Sequence, residues 1–202
     1  MTRILLALAA MVGSLLAQSG ISPPLTGYVR DSGGALRPVY GVAGNLVLGV
    51  PIAEGVISAA FSGRVGVAKT SDSLYAFDPR GRPLGRIDAP DGPARFSFSA
   101  GGTAALVCLS GTSESILWKD GGFQSVSVTD CEAPGLPLFS EDDELVFRRA
   151  DGTQLRKKIG GPALSIDQMG EGWFSVLEET RRLAVRVFED RLETYRLPEA
   201  AP

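Results

Sequence analysis

Among the residues able to do chemistry, the acids come first. Asp167 and Glu171 stand close together in an otherwise acid-poor run. Two carboxylates roughly 5 to 9.5 Å apart across a cleft can cleave a glycosidic bond, one as acid and the other as base or nucleophile. The competing account makes both solvated loop residues. Glu141-Asp142-Asp143-Glu144 offers hard oxygens to a cation such as Ca²⁺, but it lacks the alternating spacing and the glycine of a calcium loop. Turn residues between two strands explain it equally. Arg148, Arg149, Arg156, Lys157 and Lys158 cluster around Asp151-Gly152. They offer a contact for an anion, or a charged edge strand that resists aggregation.

The chain has no histidine. That removes Ser-His and Cys-His nucleophile pairs, imidazole metal ligands and a histidine general base. Gly41–Gly49 (GVAGNLVLG) forms neither a dinucleotide fingerprint nor a phosphate loop, and no Ser-x-x-Lys or Gly-x-Ser-x-Gly motif is present. No cofactor and no metal is expected. The 202 residues carry a net charge of −3, which gives no overall pull toward nucleic acid or anionic lipid.

The N-terminus, MTRILLALAAMVGSLLAQSG, has a positive residue, an apolar run to Ala17 and small residues near its end. It reads as a signal peptide over residues 1–17, leaving a single mature domain over 18–202, exported to the periplasm or beyond, with no stable membrane insertion after cleavage. The alternative is an uncleaved N-terminal anchor. Export makes a Cys108–Cys131 disulfide the expectation for the two cysteines, against two buried thiols. Closing a loop of that size contributes on the order of 3 kcal/mol in the chain-entropy account.

The elements that would position these residues are short strands. VISAAFS, RVGVAK, SLYAFD and RPLGRI follow one another from Val56 to Ile87, broken by Gly63, Thr70–Asp72 and Pro79-Arg80-Gly81. Asp31, Asp78 and Asp151 each sit at a glycine-containing turn and read as turn-stabilising aspartates. The stretch Ser175–Arg186 has apolar residues compatible with a helix, but two strands meeting at Glu178-Glu179-Thr180 fit the surrounding pattern. Phe61, Phe98, Phe139 and Leu177 close comparable strands at intervals of 37, 41 and 38 residues. About four strands per period of roughly 40 residues is the pattern of a β-propeller, whose blades bury their faces on one another.

SLYAFDPRGRPLGRI resembles the third-to-fourth-strand hairpin of bacterial quinoprotein-type propeller repeats. FSFSAGGTAALVCL and PLFSEDDELVF are similar to the first-to-second-strand hairpin of WD-type repeats, without the Trp-Asp dipeptide or the Gly-His pair. The resemblance covers residues 55–197 and implies architecture, not activity.

The expected fold is therefore all-β: a small propeller of four or five four-stranded antiparallel blades. Repeats fall at about 55–88, 93–128, 135–160 and 171–197. The last lacks a fourth strand, and the hairpin over 25–40 is expected to supply it and close the ring. Trp118 and Trp173 are expected in core or inter-blade packing. The expected function is binding or scaffolding without catalysis, toward a protein or a polysaccharide. Alternatives are a carboxylate-dependent hydrolase or lyase using Asp167 and Glu171, and a partial propeller that completes its fold by pairing with a partner; monomer and dimer both stay open.

Overall fold

Strand follows strand along the chain. The computed structural model describes residues 23–110, 115–127 and 137–198, and these hold strands and turns with no helix. The first sheet comprises β1 (Leu25–Arg30), β2 (Leu36–Val42) and β3 (Asn45–Leu48). The second comprises β4 (Ser58–Phe61), β5 (Gly66–Lys69), β6 (Ser73–Phe77) and β7 (Pro83–Asp88). The third has β8 (Ala94–Phe98), β9 (Ala105–Leu109), β10 (Ser115–Lys119) and β11 (Gly122–Val126). The fourth has β12 (Leu138–Glu141), β13 (Glu144–Arg148) and β14 (Gln154–Lys158), and the fifth β15 (Ser165–Gly170), β16 (Trp173–Leu177), β17 (Arg182–Val187) and β18 (Leu192–Arg196). Each sheet is antiparallel and joins only neighbours in sequence. The fold is a small β-propeller of five sheets of three or four strands.

Two expectations need correction. The N-terminal hairpin does not complete the last blade; with β3 it forms a sheet of its own. The last blade already has four strands, because Ser165–Gly170 is its first. Leu177 thus ends a second strand, so the last interval runs from a first strand to a second one. The cause is composition. SIDQMG carries Asp, Gln and Gly where a strand signal wants β-branched and aromatic residues. The two strands over 173–187 are as expected, with Val176 opposite Leu183.

Packing explains the arrangement. Tyr28 and Leu36 of the first sheet pack on Phe61, Ala68 and Phe77 of the second. Val67, Leu74 and Ala76 pack on Ala105, Val107, Ile116 and Trp118 of the third. Leu138 and Leu145 of the fourth pack on Phe174, Val176, Leu183 and Val185 of the fifth. Met169, Trp173, Ala184 and Leu197 of the fifth pack back on Val29, Val39 and Leu46 of the first. Both tryptophans therefore sit between sheets. First and last sheets meet face to face, not through a shared strand. Among the described residues, no such buried cluster joins the third sheet to the fourth.

Two turn aspartates repeat one geometry. Asp78 Oδ1 accepts from the amides of Arg80 and Arg82 at 2.8 and 2.9 Å, while Oδ2 accepts from Arg82 Nε at 2.7 Å. Asp31 does the same with Gly33, Ala35 and Arg37 at 3.0, 2.8 and 2.7 Å. Asp151 holds a third turn through Thr153. Burial raises the Asp31 and Asp78 carboxyls, but the arginine and amide donors outweigh it and hold both below the usual carboxylate range. Their contribution is present above the unfolded value of about 4 and is lost as pH falls through the lower folded values. Asp78→Ala is expected to cost about 1–3 kcal/mol, from amides left without an acceptor. Melting curves from pH 7 to pH 3 check this: the gap between wild type and variant should narrow toward the acid end.

The charge clusters of the fourth sheet neutralise each other. Arg156 pairs with Glu141 and Glu144 at 3.1 and 3.2 Å, and Lys158 with Asp143 at 3.2 Å. The register that sets Glu144 opposite Lys158 makes this possible. Asp142 takes a positive φ of 51° in the turn itself. Cys108 is buried on β9; Cys131 and residues 1–17 lie outside the described residues.

Candidate functional site

Strand alternation divides the third sheet into two faces. Ala94, Ala105, Val107 and Trp118 face the second sheet. Arg95, Ser97 and Cys108 lie on the opposite face, with Arg95 directly across from Cys108. In the fourth sheet, Leu138, Leu145 and Phe147 turn toward the fifth sheet, so Phe139 and Arg148 take the other side. Where the third and fourth sheets would meet lies a cavity of about 1210 Å³. Its walls come from the innermost strands β4, β8, β12 and β15 and from the turn after β13.

The rim is tied on one side. Ser62 Oγ donates to Gly102 O at 2.7 Å, and Ala94 N donates to Ser58 Oγ at 2.9 Å. These bonds fix β4 against the β8 hairpin. Phe139 is half-buried in the wall; Phe96 and Phe98 also touch it but pack against the cluster between the second and third sheets. Arg148 lies over the Phe139 ring, 5.2 Å from its centroid.

Both sequence candidates line this cavity. Asp167 lies within β15 and Glu171 begins the turn that follows. Asp167 therefore sits on an innermost strand and not in a loop. Burial pushes the Asp167 carboxyl above the ordinary carboxylate range, against the pull of Arg30 and Arg182. Burial in turn lowers Arg182, with Asp167 opposing it, and Arg182 donates to Ser175 Oγ at 3.2 Å. Glu171 is exposed, and its carbonyl accepts from Arg186 at 3.1 Å. Asp167 is thus half-buried near Arg30 and Arg182, while Glu171 is exposed at the rim with its carbonyl held by Arg186.

Sequence reasoning missed Arg64 and Arg95, which join Arg148 and Arg149 in the wall. They lie far apart in the chain, and only the convergence of the inner strands collects them. Of the basic cluster read from sequence, Arg148 and Arg149 face the cavity, and Arg156 and Lys158 are spent on ion pairs.

No protein-family model and no curated protein matches the chain. Solved structures similar to it include a eukaryotic initiation factor, at 14% identity over 87% of this chain with a TM-score of 0.39. The β-propeller domain of Myceliophteria thermophila Cps50 (Swd1) is similar at 14% identity over 87%, TM-score 0.31. Apo AztD from Citrobacter koseri is similar at 13% over 89%, TM-score 0.36. This chain spans 50%, 42% and 58% of those chains, respectively. Similarity at this level concerns strand arrangement and brings no activity with it.

Proposed function

We propose that the chain is an exported binding or scaffolding propeller that engages a protein or an extracellular polymer at the cavity between its third and fourth sheets. The observation that carries this reading is the cavity itself: it opens onto the innermost strands, is large enough for a ligand and gathers charged and aromatic side chains from four sheets. Export rests on the charged and apolar pattern of residues 1–17. The Cys108–Cys131 bridge belongs to the same reading, and Cys108 is buried on β9.

Ser97→Trp tests it. Ser97 is a half-buried cavity residue, and an indole there fills the space. On arrays of glycans and secreted proteins, wild type should retain a ligand that the variant loses at an unchanged melting temperature. Ligands retained in full by a folded variant would refute the reading.

Asp167 favours a second reading, a carboxylate-dependent hydrolase or lyase. A carboxyl that burial shifts upward suits a general acid. That reading requires turnover of a glycan, abolished in Asp167→Asn.

A further inference from the structure

We infer that the cavity takes an acidic oligosaccharide, a short chain of uronate sugars, held by Arg64, Arg95, Arg148 and Arg149. This rests on the cavity being the binding site, and adds the chemistry of what binds there.

Charge is the first argument. Four arginines line the walls against two acids, Asp167 and Glu171. Asp167 is already attended by Arg30 and Arg182. None of the four wall arginines forms an ion pair with a described residue. By contrast, Arg37, Arg82, Arg156, Arg181 and Arg191 each engage an acid at 3.2 Å or closer. Arg149 is the clearest case. Its Nη1 reaches Thr153 Oγ1 at 3.4 Å, while Nη2 is shielded from solvent with no acceptor. A turn of the Arg149 side chain into the cavity would give that nitrogen the acceptor it lacks. A planar carboxylate matches the guanidinium fork.

The rest of the lining selects the kind of anion. Phe139 offers an aromatic ring, and Ser97, Ser99 and Gln168 offer hydroxyl and amide partners among small alanines and glycines. A ring beside scattered hydrogen-bonding groups suits a sugar. The wall's Leu138 and Ile166 belong to the cluster between the fourth and fifth sheets, which leaves an apolar peptide side chain little to fill.

Calorimetric titration of the full chain with a galacturonate tetramer tests the inference, beside a neutral glucose tetramer, a polyglutamate peptide and oligothymidylate. The uronate should bind, and raising salt from about 50 to about 500 mM should weaken it about tenfold or more. Arg95→Gln and Arg149→Gln should each weaken it about tenfold. Arg95 is exposed and unpaired, so its loss leaves the fold intact, and Arg86→Gln, on the outer strand β7, should change nothing. Preference for the glucan, the peptide or the oligonucleotide overturns the inference, as does uronate binding indifferent to Arg95. An array ligand lost in Ser97→Trp but unaffected by Arg95→Gln overturns the inference and leaves the cavity reading standing. If no ligand at all is sensitive to Ser97→Trp, both fall.

Discussion

A methyl group at Gly27 is expected to separate the first sheet from the fifth. An added Cβ there would lie 1.8 Å from the carbonyl oxygen of Met169, and one at Gly170 would lie 2.4 Å from that of Thr26. The obstruction is backbone in both cases, so no rotamer relieves it. Register irregularities at Leu25/Gly27 and at Gln168/Gly170 bring β1 and β15 this close. Gly27→Ala should cost about 3 kcal/mol or more, lowering the melting temperature by roughly 6–12 °C for a domain of this size. Trp173, buried in the cluster that joins these sheets, should shift its emission to the red. Gly161→Ala, where an added Cβ meets nothing within 4 Å, should leave both unchanged.

The second large effect is expected at Gly66. It pairs directly with Phe77 across β5 and β6, and the Phe77 ring lies over it, with ring atoms 2.0 to 2.5 Å from where a Cβ would stand. That ring cannot swing aside. It is packed edge-on against Tyr28 at 4.9 Å and stacked with Phe61 at 6.0 Å. Tyr28 is itself held by a bond from its hydroxyl to Pro79 O at 3.2 Å. Gly66→Ala should destabilise by about 1–3 kcal/mol, through a displaced ring that loosens the first and second sheets together. Adding Phe77→Leu should recover part of that loss, because the two changes share one volume. Chemical denaturation of the two single variants and the double variant measures the coupling; strictly additive costs would contradict the packing described.

How much of this was legible in the sequence depended on how loudly each strand spoke. SLYAF and RLAVRV alternate or concentrate β-formers between turn residues, and they are strands. NLVL in β3 hid inside a glycine-rich run, and SIDQMG in β15 hid behind its polar residues. Both lie where backbone approach or the cavity, not apolar burial alone, decides the residue. Met169 is fully buried, yet its neighbours Asp167 and Gln168 serve the cavity wall. Asp167 and Glu171 were legible as acids worth noticing, since few others stand near the inner strands. The arginines were not, because Arg64, Arg95 and Arg148 share no local pattern and meet only through the order of the sheets. The acidic turn over 141–144 and the basic strand β14 each looked like a site alone; pairing across the hairpin accounts for both.

The central claim is that this chain binds through the cavity between its third and fourth sheets. Hydrogen exchange read by mass spectrometry, on the full chain with and without the uronate tetramer, addresses it most directly. Protection is expected along β8, β12 and the turn after β13, with the outer strands β7 and β18 unchanged. Protection confined to the outer strands, or spread evenly over all five sheets, would contradict the account.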